Sequence, residues 1–152
     1  MPTKQSQPIG IELVKRKIIS EEDINKALEY QKIHPTKKLG DIINILHLCD
    51  SNILIEAIGE ILDEKAILLE EANIKINIPD YISLDIAKQN KAIPFDVDGG
   101  RIKVCFADTT NKRAIETVRL LLLNKGLIME KYITFETNIE EILNSLEGVA
   151  SD

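Results

Sequence analysis

Residues 9–31 read IGIELVKRKIISEEDINKALEYQ and residues 39–61 read LGDIINILHLCDSNILIEAIGEI, two copies of one unit at an offset of 30 residues. Each copy contains an apolar residue followed by glycine (Ile9-Gly10 and Leu39-Gly40), then a short polar segment, and then a longer stretch with apolar residues at helical spacing. The pattern predicts a short helix after Gly10 or Gly40, then a turn, then a longer amphipathic helix. Because neither copy can bury its apolar stripe alone, the two copies are expected to pack together.

The match between the copies extends to the start of the longer helix. Ser20 aligns with Asp50, and both are residue types that accept hydrogen bonds from free amides at a helix N-terminus. A chain rich in Ile and Leu can align with itself by chance, but coincident glycines and coincident caps argue against chance. A tandem repeat of two helical units is therefore predicted for the first half of the chain.

The composition limits the class of protein. With 152 residues, 44% of them hydrophobic, the chain can form one compact domain or two small ones. No apolar run approaches the ~20 residues of a membrane span, and the polar start at residues 1–6 lacks the apolar segment of a signal peptide. Cys49 and Cys105 form no C-x-x-C pair, so reduced thiols and a cytosolic location are predicted.

The charge pattern argues against nucleic acid as a partner. The net charge is −6, and no block of Lys or Arg forms a stripe that would follow a phosphate backbone or an anionic lipid surface. The chain has no Trp, and only 4% of its residues are aromatic, which leaves few platforms for stacking bases. General binding to nucleic acid or to a membrane surface is therefore not expected.

The second half of the chain alternates strand and helix signals. Residues 66–69 form a short apolar run of strand length, and Ser83 is expected to cap a brief helix. Residues 92–97 and 101–107 predict a hairpin around Asp98-Gly99-Gly100. One face of this hairpin is expected to carry the alternating apolar residues Ile93, Phe95, Val97, Ile102, Val104 and Phe106, and the other face Arg101 and Lys103.

The last third of the chain predicts a helix, a strand and a further helix. Within residues 111–124, one helical stripe is formed by Ala114, Ile115, Val118, Leu121 and Leu122, and residues 132–135 are interpreted as a strand. Thr137 and Glu140 form a capping-box pattern before the last helix, which is expected to fray over residues 149–152.

The predicted fold class is α+β. A helical tandem-repeat subdomain is expected in residues 1–64, where residues 1–7 are a flexible leader and residues 34–38 are the loop between copies. A small α+β subdomain is expected in residues 65–152. The helix over residues 51–62 is apolar on more than one side, so the two subdomains are expected to pack together and cover it.

No catalytic constellation emerges from the residues. The loop Gly-x-x-x-x-Gly-Lys-Ser/Thr is missing, so this segment is not expected to hydrolyse ATP. His47-Leu48-Cys49 with His34 falls short of the four ligands of a zinc site, and Cys105 has no base near it in sequence. Asp108-Thr109-Thr110 is typical of a turn before a helix. We therefore predict no catalytic residue, no metal and no enzyme activity in this segment.

One weak signal for an anion remains. Lys37-Lys38-Leu39-Gly40 places cations and a glycine at a helix start, where free amides can accept a phosphate. The alternative is a solvated loop whose glycine permits close helix packing. Both interpretations stay open on these residues alone.

Two sets of residues match the motifs of a known family. The first copy matches at Ile9-Gly10, Leu13-Val14, Ile18-Ile19, Leu28 and Gln31, and the second at Lys38-Leu39-Gly40, Ile43, Leu48 and Ile58. Downstream matches are Ile86-Ala87-Lys88, Ala92-Ile93-Pro94-Phe95, Gly99-Gly100-Arg101-Ile102-Lys103-Val104 and Ala107-Asp108. Over nearly its whole length the chain thus resembles the N-terminal domain of type II secretion and type IV pilus assembly ATPases. That family includes a subgroup whose tandem motif binds cyclic di-GMP.

The resemblance implies a bacterial, cytoplasmic domain that is held near the inner membrane through its partners. It implies a non-catalytic adaptor or regulatory domain, with secretion or pilus membrane-platform proteins and the motor's own ATPase domain as partners. The alternative is a sensor whose ligand is cyclic di-GMP, without a cofactor. The residues at the matching ligand-motif positions are Ile9, Gly10, Leu13, Val14, Leu28, Gln31, Lys38, Leu39, Gly40 and Ile43.

The ligand motif that the resemblance brings is incomplete in this chain. Pro8 and Lys38 stand at its two arginine positions, and lysine lacks the planar, bidentate fork of arginine. Lys17 and His47 occupy its two inner glycine positions, where a side chain is expected to crowd a ligand. Ile61 replaces its second glutamine. These departures favour an adaptor that docks to protein partners over a cyclic di-GMP sensor.

Overall fold

The computed structural model describes residues 6–151, with side chains from Ile9 to Gly148. Within this range the chain forms seven α-helices, three β-strands and two short 3₁₀ helices, which confirms the predicted α+β class. The chain divides into two compact units between Asp63 and Glu64. None of the described helices combines the length and the apolar character that crossing a bilayer requires.

The first unit consists of four helices, and all their boundaries except the start of the first helix follow the offset of the repeat to within one residue. They are α1 (Ser6–Lys15), α2 (Glu21–Ile33), α3 (Leu39–Ile45) and α4 (Ser51–Leu62). The Ser20 side chain accepts a hydrogen bond from the Asp23 amide at 3.1 Å, and the Asp50 side chain accepts one from the Ile53 amide at 3.0 Å. Both predicted caps are confirmed, as is the loop over residues 34–38 between the copies.

The two ends of the chain differ from their predictions. The first helix starts at Ser6, so the predicted leader is wrong at its last two positions, and residues 1–5 lie outside the described part of the chain. The last helix continues to Ser151 instead of fraying over residues 149–152, and Asp152 again lies outside the described part.

Gly10 and Gly40 lie inside the first helix of each copy rather than in a step before it. A Cβ atom added at Gly10 would lie 3.2 Å from Leu39 Cδ2, and one added at Gly40 would lie 2.7 Å from Ile58 Cδ1. The fully buried side chains around these contacts include Leu13, Ile42, Ile43 and Leu54. Glycine therefore lets α1 approach α3, and α3 approach α4, more closely than a side chain would allow.

The second unit combines a three-stranded sheet with three helices. Its elements are two 3₁₀ helices (Glu71–Asn73 and Ile78–Asp80), α5 (Leu84–Asn90), β1 (Ala92–Asp98), β2 (Arg101–Phe106), α6 (Lys112–Leu123), β3 (Ile128–Ile133) and α7 (Glu136–Ser151). β1 and β2 are antiparallel around the predicted turn, where Gly99 has a φ of 61°. β3 lies on the other side of β2 and parallel to it, with α6 as the crossover.

A β-bulge in β1 corrects the predicted hairpin face. Pro94 pairs with Val104 and Asp96 pairs with Lys103, so Phe95 between them has no partner on β2. Proline donates no hydrogen bond, which makes a bulge a natural place for it. The predicted apolar faces match at the pair Val97–Ile102. Before the bulge, the alternate residues of β1 lie on the opposite face of the sheet from the one predicted. Ile93 pairs with Cys105 on the opposite face, and both are fully buried, so the sheet is covered on two sides there.

The apolar run at residues 66–69 does not form the predicted strand. Only Ala66 forms a bridge, parallel to Ile133 of β3. The amide of Leu69 donates to the Thr134 hydroxyl at 3.3 Å instead of to a backbone carbonyl. The backbone pairing stops at a single bridge because the Thr134 side chain, and not a backbone carbonyl of the neighbouring strand, accepts the bond from Leu69.

The strand predicted over residues 132–135 starts earlier and ends earlier, as β3. Gly126 has a φ of 79° and reverses the chain after α6. The amide of Ile128 then donates to the Gly100 carbonyl at 2.8 Å, so pairing with β2 begins at once. The predicted helix over residues 111–124 is confirmed as α6.

The start of α7 corrects the predicted capping box. Because α7 begins at Glu136, Thr137 and Glu140 both lie inside the helix. The carbonyl of Phe135 accepts the amide of Asn138 at 3.1 Å. Phe135 is buried, so its packing holds the carbonyl that starts the helix, and no side-chain cap is needed from Thr137.

Candidate functional site

Six of the ten residues at the ligand-motif positions form the core of the helical unit. They are Ile9, Gly10, Leu13, Leu39, Gly40 and Ile43, and all are buried. Leu13 and Ile43 lie at the same position of the two copies, and each is 0% exposed. A ligand on the surface of the folded unit does not reach such side chains. These six residues hold the helices together.

The other four residues at these positions, Val14, Leu28, Gln31 and Lys38, are at least partly exposed. The structure brings two of them to the loop between the copies. The side-chain amide of Gln31 donates to the Lys37 carbonyl at 3.0 Å, and Lys38 is the N-cap residue of α3. Gln31 therefore fastens the last part of α2 to this loop, which is a structural role.

The two inner glycine positions of the motif are helix ends in the structure. Lys17 and His47 have φ values of 60° and 54°, in the left-handed region that favours glycine. Two amides close each helix by donating back to its last turn: Lys17 to Val14 at 2.9 Å, Ile18 to Leu13 at 3.0 Å, His47 to Asn44 at 3.1 Å and Leu48 to Ile43 at 3.2 Å. This is the Schellman arrangement, which places a left-handed residue directly after the helix.

The position of Lys17 and His47 changes the meaning of the missing glycines. Both side chains are exposed, so they point away from the packed helices. Glycine would suit this backbone conformation, and in this chain two residues with a Cβ atom adopt it under strain. Their place two residues after a helix end, repeated at an offset of 30, was a usable signal in the sequence.

Both cysteines are held as neutral thiols. Cys105 is fully buried in β2, its Sγ donates to the Ile93 carbonyl at 3.4 Å, and burial raises the pKa of the thiol far above its ordinary value. Burial also raises the pKa of the Cys49 thiol, and the carboxylates of Asp50 and Asp23 add to the rise. A neutral thiol is a poor nucleophile, so neither cysteine is prepared for catalysis.

The remaining polar candidates serve the fold. His34 stacks on Tyr30 with ring centroids 4.4 Å apart. The Asp108 carboxylate accepts hydrogen bonds from the amide of Thr110 at 2.9 Å and from its hydroxyl at 2.6 Å, which makes the turn that was predicted. Among residues 6–151, no group of three or more His, Cys, Asp or Glu side chains is placed to hold a metal ion.

Sequence reasoning missed the exposed apolar side chains. Within the described residues the large ones are Ile11, Leu28, Ile33, Ile53, Leu120, Leu123 and Ile128. Leu120 and Leu123 lie on α6, whose buried stripe is formed by Ala114, Val118 and Leu122. The signal was present in the sequence, because both leucines fall off the stripe that was assigned to the core.

Known structures share this fold. The solved structure of MshE with cdg (cyclic di-GMP) aligns with a TM-score of 0.63 at 22% identity, over 90% of this chain and 96% of that chain. The solved N-terminal domain of XpsE aligns with a TM-score of 0.58 at 19% identity, over 95% of this chain and 96% of that chain. No protein with a curated description matches the chain.

The family follows from a sequence match. Residues 62–152 match the MshEN domain, which is more than half of the chain. The resemblance seen in the motifs is therefore confirmed. The chain belongs to the MshEN family, the non-catalytic N-terminal domains of type II secretion and type IV pilus assembly ATPases.

Proposed function

We propose that this domain docks an assembly ATPase to the proteins of a secretion or pilus membrane platform, and that it does not sense cyclic di-GMP with high affinity. The observation that carries the proposal is the burial of the ligand motif: six of its residues are used to pack the four helices. The scaffold is kept while the ligand contacts are lost, which leaves a surface for proteins. On this proposal the domain works in the cytoplasm, beside the motor's ATPase domain and held at the inner membrane by its partners.

Cyclic di-GMP requires groups that this domain lacks or uses elsewhere. Its two phosphates need cations or amides, and its two guanines need flat or apolar surfaces. Pro8 supplies no cation and no amide, Lys38 is a point charge in place of a bidentate fork, and the Gln31 amide already donates to Lys37. If each lost charged hydrogen bond contributed ~1.5–3 kcal/mol, two or three losses would weaken binding on the order of a thousandfold or more.

The second candidate function is a cyclic di-GMP sensor. It is favoured by the fold shared with MshE, whose solved structure holds that ligand, and by the left-handed backbone of both helix ends, a conformation that glycine would also adopt. Lys38 and Gln31 meet at one loop, so they are the residues on which a residual affinity would depend.

Calorimetric titration with cyclic di-GMP separates the two functions. We expect no submicromolar Kd for the purified chain, because the arginine pair is absent. Any weak binding should be lost in Lys38→Ala and in Gln31→Ala, and kept in the control Lys75→Ala, which removes an exposed cation of the second unit. A submicromolar Kd that survives both substitutions would show that the site is misplaced and that the domain is a sensor.

Docking itself is tested by recruitment to inverted inner-membrane vesicles. We expect the chain to sediment with vesicles that contain the platform proteins and to stay in solution with vesicles from which those proteins are deleted. The reason is that no described helix crosses a bilayer and that the net charge of −6 disfavours an anionic lipid surface. Equal sedimentation with both vesicles, or with neither, would contradict the docking proposal.

A further inference from the structure

Helix α6 has an apolar stripe that the second unit does not cover. Leu120 is 50% exposed, Leu123 is 47% exposed, and Ile128 at the start of β3 is 55% exposed. Single exposed hydrophobic residues are common on protein surfaces and need no explanation. Here, however, three of the seven large exposed ones in the described residues fall within nine positions of the chain. Of these, Leu120 and Leu123 lie on α6 itself, and we call these two residues the α6 outer face.

These three residues lie on α6 and at the start of the strand that follows it. Leu120 and Leu123 are three positions apart, so they lie on the same side of α6. The chain then reverses at Gly126, and the amide of Leu127 donates to the Leu122 carbonyl at 3.0 Å. Ile128 follows directly, and its own amide donates to the Gly100 carbonyl just before β2. The α6 outer face is therefore presented on fixed backbone rather than on a mobile loop.

The charge around the α6 outer face is opposite to that of the rest of the chain. Of the 19 basic and 25 acidic residues, four basic and one acidic lie between Lys112 and Lys125, so this segment carries +3 and the remainder −9. The acidic one, Glu116, is already paired with Arg119 by two bonds of 2.8 Å, and this guanidinium holds the pKa of Glu116 below its ordinary value. Sequence reasoning missed this basic segment because its four cations are spread over 14 residues rather than gathered in a block.

Three cations of this segment have no carboxylate partner within the part of the chain that the structure describes. They are Lys112, Arg113 and Lys125, and each is exposed. Arg113 lies seven positions before Leu120, two helical turns along the same side of α6, and Lys125 follows directly after its last turn. The apolar stripe is therefore flanked by positive charge at both of its ends.

We propose that the α6 outer face binds an acidic amphipathic helix of a partner protein. This inference rests on the proposed docking function and names its surface. Two leucines at a spacing of three residues fit into the groove of an apposed helix, and carboxylates that flank the apolar stripe of the partner pair with Lys112, Arg113 and Lys125. Opposite charge also speeds the encounter and excludes basic partners.

Two other occupants are disfavoured by the same charges. A second copy of the chain in a symmetric contact would place the same surface on both sides and set +3 against +3. A lipid surface would contact only a narrow apolar stripe, because the broad apolar face of α6 is turned to the core. An anionic lipid surface would also repel the rest of the chain, whose net charge is −9.

The test uses a synthetic acidic helix as the probe, with Leu at its a and d positions and Glu at its flanking positions. We expect Leu120→Ser/Leu123→Ser to weaken its binding on the order of tenfold or more, because exposed apolar anchors are lost while the fold is kept. Arg113→Glu/Lys125→Glu should weaken binding and remove its dependence on salt. The control Ile11→Ser/Ile33→Ser removes two apolar residues of the first unit that are more exposed than the leucines, and it should bind as the unchanged chain does.

Other outcomes overturn the inference in separate ways. Equal binding of the probe to the leucine variant and to the unchanged chain would exclude this surface. Binding to vesicles of phosphatidylcholine with phosphatidylglycerol that is lost with the same leucines would assign the surface to lipid, and a concentration-dependent dimer lost with them would assign it to a second copy. Recruitment of the leucine variant to platform-containing vesicles at the unchanged level would reject this surface and leave docking intact. Absence of recruitment for the unchanged chain would instead reject docking.

Discussion

Leu13→Ala is expected to lower the free energy of unfolding of the helical unit by about 2–5 kcal/mol, since Leu13 is 0% exposed and its truncation leaves a cavity between helices. Ile43→Ala, at the same position of the second copy, should show a loss of similar size. Either loss is a large part of the stability of a small domain. Urea unfolding followed by helical circular dichroism measures it.

The control for this prediction is Leu28→Ala. It removes the same side chain from another ligand-motif position, but Leu28 is 36% exposed, so we expect a loss below about 1 kcal/mol. If Leu13 and Ile43 were ligand contacts on a surface, their alanine variants would keep the unfolding curve of the unchanged chain. That result would refute the assignment of these two residues to the core.

Lys17→Gly and His47→Gly are expected to stabilise the helical unit, by about 1–2 kcal/mol in the double variant. A left-handed conformation strains a residue with a Cβ by ~1–2 kcal/mol, and the greater freedom of glycine in the unfolded chain offsets about 0.5–1 kcal/mol of that gain at each site. Both side chains are exposed and form no hydrogen bond or ion pair with another described residue, so glycine removes no contact. The same urea titration measures the gain.

Two control variants separate the effect of the left-handed backbone conformation on stability from the effect of the side chains. Lys17→Ala/His47→Ala removes the same side chains but keeps a Cβ at a positive φ, so its stability should equal that of the unchanged chain. Gly126→Ala should change stability in the opposite direction by about 1 kcal/mol, because its φ is 79° and an added Cβ would meet nothing within 4 Å. A double glycine variant no more stable than the double alanine variant would show that the helix ends are not strained.

The features of the fold that were predicted correctly depend on residues that lie within a few positions of one another in the sequence. Ser20 and Asp50 cap helices because the amides that they bond lie three residues ahead. The hairpin closes at Gly99 because only a few residue types accept that turn. In each case the partner is a near neighbour in sequence, so residue type and spacing were sufficient.

The features that were missed depend on partners far away in sequence. The run that starts at Ala66 could become a strand only by pairing with residues near Thr134, and a hydroxyl there ends the ladder. The change of face at Phe95 cannot be predicted from the alternation of apolar residues along β1, because a bulge is defined by the pairing of two strands. Resemblance located the ligand-motif positions, but whether Leu13 is buried depends on how the helices pack.

The bulge at Phe95 also protects the sheet from adding strands. Because Phe95 has left the ladder, its carbonyl accepts the amide of Lys75 at 2.7 Å, so another part of the chain occupies the free edge of β1. On the opposite edge of the sheet, the Ile133 amide donates to the Lys65 carbonyl at 2.7 Å. Backbone from elsewhere in the second unit thus occupies one position on each edge, which shortens the row of free amides and carbonyls on which edge-to-edge aggregation begins.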